Sequence, residues 1–302
     1  MIVHHDPESS NEALREAVYR GDIVLLTRLA SVSALVAHAR EWLRELFSPH
    51  DPRHAHEHFA PAAMAALLGE WKPRFIHDET SRRLVGAIVA EAGFAPEHTY
   101  ADVPKPRTSF PQDHLVTGIA FAFPWHRDTW YAAPAQQVNW WLPIHPVDAS
   151  NAMSFDPHGF ARAVPNDSHQ FDYYRHNAGR AATATHVTRE GQTRPAALDH
   201  QPDNELTLLP AVGSVMLFSG TQLHRSIPNT SGLARYSIDF RTVDARDLES
   251  GKGGPTIDVR CTGTAIRDFQ RVEDGSPFAE DTVVRHFGRP PAGSHLVYSP
   301  SH

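Results

Sequence analysis

A chain of 302 residues can bury about three quarters of its unfolded surface, in one large domain or two small ones. Its formal net charge of -7 and pI near 6.3 leave no basic footprint, which argues against nucleic acid and makes a small molecule the default partner. The single cysteine, Cys261, excludes an internal disulfide and a Cys-based zinc site, and no apolar run approaches a membrane span. A soluble cytoplasmic protein with no membrane partner is expected, since the N-terminus also lacks a basic start followed by an apolar stretch. Homo-oligomerisation is left open.

In chain order, Ser9-Ser10-Asn11-Glu12 has the spacing of a helix capping box, and Ala13, Leu14, Val18, then Ile23, Leu25, Leu26 and Leu29 suggest short amphipathic helices. A longer helical pattern runs through Leu35, Val36, Ala39, Trp42, Leu43 and Leu46. The His-rich His54-Ala55-His56-Glu57-His58 lies between prolines without apolar periodicity and reads as a solvated loop. Helical patterns return over 61–71 and 78–92, the second with Leu84, Ile88 and Val89 on one face and Asp78 as its cap.

Near His98 the pattern changes. Segments 99–104, 114–123, 136–144, 152–155, 205–209, 214–218 and 233–243 read as strands, being rich in β-branched and aromatic residues and bounded by turn formers. Many short strands without alternating helices indicate an antiparallel barrel or sandwich. Residues 157–203 include a long polar insert with Tyr173, Tyr174, Arg175 and Arg180, of a length that suggests a functional lid. Cys261, in an apparent strand, reads as a small packing residue.

The chemistry centres on Phe123-Pro124-Trp125-His126-Arg127-Asp128. In extended backbone His126 and Asp128 leave on the same side and can converge on one metal ion. An H-x-D/E pair arises by chance on the order of twice in a chain this rich in His and acids. His77-Asp78-Glu79 is another such pair, and it starts a helix. Joint placement distinguishes the first pair, since it follows a strand pattern, His224 follows Val215–Phe218, and Arg235 lies in the next strand. Two imidazoles and a carboxylate occupy one face of ferrous iron and leave three positions open. A carboxylate at 128 also disfavours a halogenase, which needs that place vacant. The planar fork of Arg235 suits the distal carboxylate of 2-oxoglutarate. Arg235, Ser237, Asp239 and Arg241 alternate with Tyr236, Ile238 and Phe240. If Arg235 binds the cosubstrate, their face points inward, not to water. Gln137, Asn139 and Trp141 share parity on their strand and are candidates for the pocket wall.

His126-Arg127-Asp128, Val138-Asn139-Trp140-Trp141, His224-x-Ser226 and Arg235 together resemble the phytanoyl-CoA dioxygenase family of iron and 2-oxoglutarate oxygenases. The resemblance spans about residues 99–243. It implies a mainly β fold, a double-stranded β-helix (jelly roll, as in cupins) with helices packed on one side. The expected organisation is one oxygenase domain, with helical support over 1–98, the core over 99–243 holding a lid-like insert at 157–203, and a C-terminal extension over 244–302. It also implies that His126, Asp128 and His224 hold Fe(II), and that Arg235, Ser226 and Trp141 contact 2-oxoglutarate, with Ser237, Asn139 and Gln137 as further candidates. O2 is the second cosubstrate. The family often has Gln where Arg127 stands, and Val164-Pro165-Asn166-Asp167-Ser168-His169 replaces its usual Pro-Gly-Ser-His.

The expected activity is oxidation of a small polar metabolite at a C–H bond with release of succinate and CO2, in the manner of tailoring enzymes of secondary metabolism. Substrate-lining candidates are Arg107, Arg127, Trp130, Tyr131 and Arg241. Two rivals differ in what they require. A cupin-like isomerase or epimerase would keep the three metal ligands without needing Arg235, and a non-catalytic binding barrel would tolerate loss of all four.

Overall fold

A computed structural model describes residues 1–116, 118–183 and 194–294. The main sheet gathers strands from the whole chain: β1 (Val3–His5), β2 (Ile23–Leu26), β3 (Thr99–Ala101), β4 (Lys105–Ser109), β5 (Val138–Pro143), then β8 (Val215–Ser219), β10 (Arg235–Asp244) and β11 (Gln270–Arg271). Its order is β1-β2-β8-β5-β10-β3-β11, with β4 also paired to β10. The second sheet is β6 (Met153–Phe155) between β7 (Leu206–Leu208) and β9 (His224–Ser226). The chain passes from one sheet to the other between β5 and β6, β7 and β8, β8 and β9, and β9 and β10. This is the winding of the expected jelly roll, antiparallel apart from the β1–β2 pair.

Helices α1 (Asn11–Tyr19), α2 (Ala30–Phe47), α3 (Pro61–His77) and α4 (Glu79–Glu91) come from the first third. One continuous core joins Leu35, Leu43 and Phe47 of α2, Leu68 and Phe75 of α3 and Ile88 of α4 to Trp140, Tyr236, Ile238 and Phe240 on the outer face of the main sheet. Trp140 is fully buried, stacks on Phe240 at 5.2 Å and donates its indole N–H to Thr242 Oγ1 at 2.9 Å. Losing such a side chain costs about 3–5 kcal/mol. The helices thus hold the sheet from behind and leave its other face for the site.

Several expectations change. Ile23–Leu26 is a strand, not a helix: Gly21, at φ 92°, turns the chain after α1, and Val24 then pairs with Leu217. Ser10, one residue after the expected capping position, caps α1 by accepting from the Ala13 N–H. Segment 114–123 holds no strand among its described residues. Gly118, at φ 53°, starts a single 3-10 turn, and Ile119, Phe121 and Phe123 line a cavity without joining a ladder. The paired strand there is β4, in spite of Pro106, because β4 lies on the flank of β10 where a missing N–H is tolerated. The His54–His58 run lies mostly in a 3-10 turn, and Asp78 caps α4 as expected.

Within the insert, α5 (Tyr173–Thr183) brings Tyr173, His176 and Asn177 to the cavity wall; the Arg180 side chain and residues 184–193 lie outside the described residues. The C-terminal part adds α6 (Ala245–Ser250), β11 and α7 (Glu280–Phe287). Asp247 of α6 accepts from Arg15 and from the Tyr19 hydroxyl of α1, so the extension is tied to the start of the chain. Cys261 lies outside any strand, half-buried, with its thiol facing the Thr129 carbonyl at 3.3 Å. No helix among the described residues is long and apolar enough to cross a membrane.

Candidate active site

Between the two sheets lies a cavity of about 390 Å3 whose wall includes His126, Asp128 and His224. His224 opens β9, while His126 lies on a short extended stretch beside it. Each backbone N–H donates to the other's carbonyl, at 2.9 and 3.0 Å. This reciprocal pairing places residues about 100 positions apart directly opposite one another. Their ring centroids are 4.2 Å apart, and the three residues offer ligand atoms within 4.8 Å of one another.

The tautomers are fixed by the backbone. His126 Nδ1 lies 2.8 Å from the Pro124 carbonyl and His224 Nδ1 lies 2.9 Å from that of Gln222. A carbonyl only accepts, so each Nδ1 carries the proton and each Nε2 keeps its lone pair for a metal. Burial and the neighbouring His126 push His224 down to about 4, so its ring is neutral at physiological pH. Burial works against ionisation of Asp128, but the charge of Arg241 and the two amide donors on its other oxygen hold its carboxyl far below the usual range. Asp128 Oδ2 accepts from Gln137 Nε2 at 2.9 Å and Asn139 Nδ2 at 2.7 Å, while Oδ1 faces His126 Nε2 at 3.6 Å. Two imidazoles whose Nδ1 atoms are tied to the backbone and one ionised oxygen, with ligand atoms within 4.8 Å of one another, fit a divalent transition metal. Gln137 and Asn139, read from sequence as cosubstrate contacts, line the cavity but spend their amide donors on the ligand carboxylate.

Arg127 and Trp130 do not line the cavity. Successive side chains of extended backbone face opposite ways, so with His126 and Asp128 inside, Arg127 points outward. Arg127 is 1% exposed, pairs with Asp258 at 3.1 Å and donates to the carbonyls of Thr221, Gly159 and Arg162. Trp130 donates its indole N–H to the other Asp258 oxygen at 2.9 Å and packs with Trp125, Val164 and Leu223. Both were expected to meet substrate, and both instead brace the ligand loop from behind. Tyr131 does reach the cavity, its hydroxyl donating to the Pro195 carbonyl.

The polar face of β10 points inward: Arg235, Asp239 and Arg241 line the cavity. Arg241 and Lys105 meet on Asp102, and Arg107 forms a two-pronged pair with Asp239, which also lies 3.4 Å from Arg241. Arg107 and Arg241 thus line the cavity as expected, each held by carboxylates. Arg235 differs from them. It is 6% exposed, its guanidinium lies 5.8 Å from the Trp141 ring centre, and its Nε and Nη1 have no hydrogen-bond partner among the described residues. No carboxylate among the described residues lies within ion-pair distance of it, and burial and Arg107 push it down to about 10 against the opposing pull of Asp239. On the same strand face, the fully buried Ser237 has a hydroxyl without a partner. Ser226 and Trp141 share the cavity wall with Arg235.

Sequence reasoning overlooked Lys72, Arg194 and Phe121, all on this wall, and the carboxylates Asp102 and Asp258 behind it. One signal lies in the composition. The chain has 28 Lys and Arg together, of which only Lys72, Lys105 and Lys252 are Lys, and two of those three line the cavity.

No protein-family model matches the chain. No curated protein matches it either. Among solved structures it is similar to EvdO2 from Micromonospora carbonacea var. aurantiaca complexed with 2-oxoglutarate, at 14% identity, 80% of this chain and 94% of that one, and a TM-score of 0.46. It is similar to the epimerase SnoN in complex with Fe3+, alpha ketoglutarate and nogalamycin RO, at 15% identity, coverage of 90% and 98%, and a TM-score of 0.43. The non-heme alpha ketoglutarate dependent carbocyclase SnoK from nogalamycin biosynthesis follows at 13% identity, coverage of 91% and 95%, and a TM-score of 0.41. With every one of these scores below 0.5, what the chain does is read from its own residues.

Proposed function

We propose that the protein is an Fe(II)- and 2-oxoglutarate-dependent oxygenase acting on a small molecule. The observation that carries this reading is the conjunction, in one cavity, of a three-ligand metal face with a buried arginine fork that has no carboxylate partner among the described residues. A hydrolytic or isomerising metal site does not require the second element. A buried guanidinium without a counter-ion is costly, and a dicarboxylate reaching from the metal to Arg235 satisfies it.

The metal, when bound, supplies the redox chemistry that couples oxidative decarboxylation of 2-oxoglutarate by O2 to oxidation of a substrate C–H bond, releasing succinate and CO2. The chain's own residues do the positioning. His126 and His224 present Nε2 with the tautomer already set, and Gln137 and Asn139 lock the Asp128 carboxylate so that Oδ1 is the free oxygen. Arg235 and Ser237 offer donors to the distal carboxylate, and Trp141 supplies a flat wall beside them. Phe121, Phe123 and Tyr131 keep water from the rest of the cavity, which favours oxidation of the substrate over side reactions.

The test is made without oxygen, by adding Fe(II) and 2-oxoglutarate and recording the weak visible charge-transfer band of a metal-bound 2-oxo acid. The wild type is expected to show the band and His224→Ala to lose it together with bound iron. Arg235→Ala is expected to reach it only at much higher 2-oxoglutarate. Absence of the band at saturating iron and 2-oxoglutarate in the wild type overturns the proposal.

A further inference from the structure

The cavity wall carries more positive charge than the proposed metal and cosubstrate can account for. Lys72, Lys105, Arg107, Arg235 and Arg241 line it, against the carboxylates of Asp128 and Asp239. Asp102, behind Lys105 and Arg241, adds one more negative charge. A divalent ion and a dianionic 2-oxoglutarate cancel each other, so among the described residues two positive charges remain unmatched. In a partly enclosed site such an excess is costly unless a ligand brings negative charge.

The excess is most acute at Lys72. It is 6% exposed and sits on α3 directly before Pro73, with Gly69, Pro73 and Ile76 of the same helix also on the wall. An ammonium has three donors. The acceptor Lys72 has among the described residues is the Ile119 carbonyl at 2.5 Å, and none of their carboxylates lies within ion-pair distance. The charges acting on it are Arg107 and Arg194, which oppose its own, and Asp239, which Arg107 already engages. Burial and Arg107 accordingly push its ionisation well below the usual lysine range. An anion placed against it restores the ammonium form. The surroundings are aromatic: the Arg194 guanidinium lies 4.3 and 5.2 Å from the ring centres of Phe121 and Phe123, and that of Arg107 lies 5.6 Å from Phe123. The use of lysine is itself selective. Lys252 is exposed and paired with Glu12 and Glu16, whereas Lys72 is buried with no paired carboxylate among the described residues, in a chain that otherwise places Arg at nearly every basic position.

We propose that Lys72, with Arg107 beside it, binds a carboxylate of the substrate, and that Phe121 and Phe123 receive its apolar body. The substrate class is a small carboxylic acid with a flat or apolar skeleton. The inference rests on the oxygenase reading for where oxidation occurs, but Lys72 as an anion site is measurable without turnover.

With three lysines in the chain, protein labelled at lysine 13Cε gives three assignable methylene signals, identified through Lys72→Arg and Lys252→Met. The protein is loaded with Zn(II) and N-oxalylglycine, redox-inert stand-ins for iron and 2-oxoglutarate, so that the Arg235 site is filled. It is then titrated with 3-phenylpropionate, benzoate and indole-3-acetate, and with the uncharged amide of each. Carboxylates are expected to shift the Lys72 signal toward the ammonium form and raise its titration midpoint while Lys252 stays unmoved. The matching amide is expected to bind at least about tenfold more weakly, the size of one charged hydrogen bond. Lys72→Met is expected to remove that preference. If Lys72 only anchors the Ile119 carbonyl, Lys72→Met alters the melting temperature and leaves the preference intact, which overturns the proposal. A panel in which no carboxylate moves the Lys72 signal, or in which amides bind equally well, also overturns it. Failure of the oxygenase reading looks different: N-oxalylglycine then shows no zinc-dependent binding, while the response of Lys72 to carboxylates is read in the same samples.

Discussion

The metal face and the Arg235 face belong to one cavity, yet their polar groups are treated in opposite ways. On the metal face each ligand has its second atom engaged: both Nδ1 groups on backbone carbonyls and Asp128 Oδ2 on two amides. On the other face Arg235 Nε and Nη1 and Ser237 Oγ are buried without partners among the described residues. Satisfied donors position a group before its ligand arrives, whereas orphaned ones cost stability until a ligand completes them. The same mutation strategy should therefore give opposite signs on the two faces.

The largest effect is expected behind the metal face. Asp258 is the carboxylate that both Arg127 and Trp130 rely on, and it also accepts from the Val164 N–H at 3.0 Å. Asp258→Ala leaves a guanidinium uncompensated at 1% exposure, and breaking such a pair costs about 3–5 kcal/mol. Urea denaturation should show that loss, and Arg127→Met in the same chain should recover part of it. A cost under about 1 kcal/mol would mean that the loop holds its shape without the pair.

Arg235→Met should reverse the pattern. The stem volume is kept and a buried charge with no paired carboxylate among the described residues disappears, so the ligand-free protein should be as stable as the wild type or more so. Binding of 2-oxoglutarate in the presence of a divalent metal should weaken by about 2–5 kcal/mol, as for truncation of one partner of a buried charge pair. Calorimetry on both proteins measures this directly. A stability loss with unchanged 2-oxoglutarate binding would remove Arg235 from the cosubstrate site.

A smaller effect is expected at Asn139. Its amide holds Asp128 Oδ2 jointly with Gln137, so Asn139→Ala leaves one of two restraints in place. Loss of a hydrogen-bonding partner behind a metal ligand typically weakens metal binding by about 10–100-fold. Competition with a metal chelator reads the change, and an unaltered affinity would show that Gln137 alone fixes the carboxylate.

The metal face was legible in the sequence because its logic is local: period two places His126 and Asp128 together, and a strand pattern precedes each histidine. Inward orientation of β10 could be posed as a condition but not decided, since Arg235, Ser237, Asp239 and Arg241 have the same alternation whether they face water or a cavity. What fixes it is the opposite face, where Tyr236, Ile238 and Phe240 are consumed by packing against the helices. Arg127 and Trp130 were misplaced for a related reason. Adjacency to a ligand suggested a shared pocket, while the partner that turns both away, Asp258, lies about 130 residues further along. Segment 114–123 had the composition of a strand, but ladder pairing is a tertiary fact, and Gly118 at positive φ lets the segment serve as cavity wall. Lys72 was invisible to periodicity, because a polar residue on a helix reads as its wet face until packing shows otherwise.

Ser237 offers the finest test of the contrast between the two faces. It lies on the Arg235 side of β10, opposite Arg107 of β4 and Pro143 of β5, fully buried, with no acceptor or donor for its hydroxyl among the described residues. Desolvating a hydroxyl without return opposes folding by about 1 kcal/mol or more, whereas alanine in the same place has nothing to desolvate. Ser237→Ala should therefore leave the ligand-free protein unchanged or about 1 kcal/mol more stable, and loosen 2-oxoglutarate several-fold, about 1 kcal/mol, by removing one donor to its distal carboxylate. The two changes should nearly cancel in the melting temperature measured at saturating metal and 2-oxoglutarate, although each is resolved separately. If Ser237→Ala instead destabilises the ligand-free protein and leaves 2-oxoglutarate binding intact, the hydroxyl serves the fold, and the Arg235 face is narrower than the orphaned donors imply.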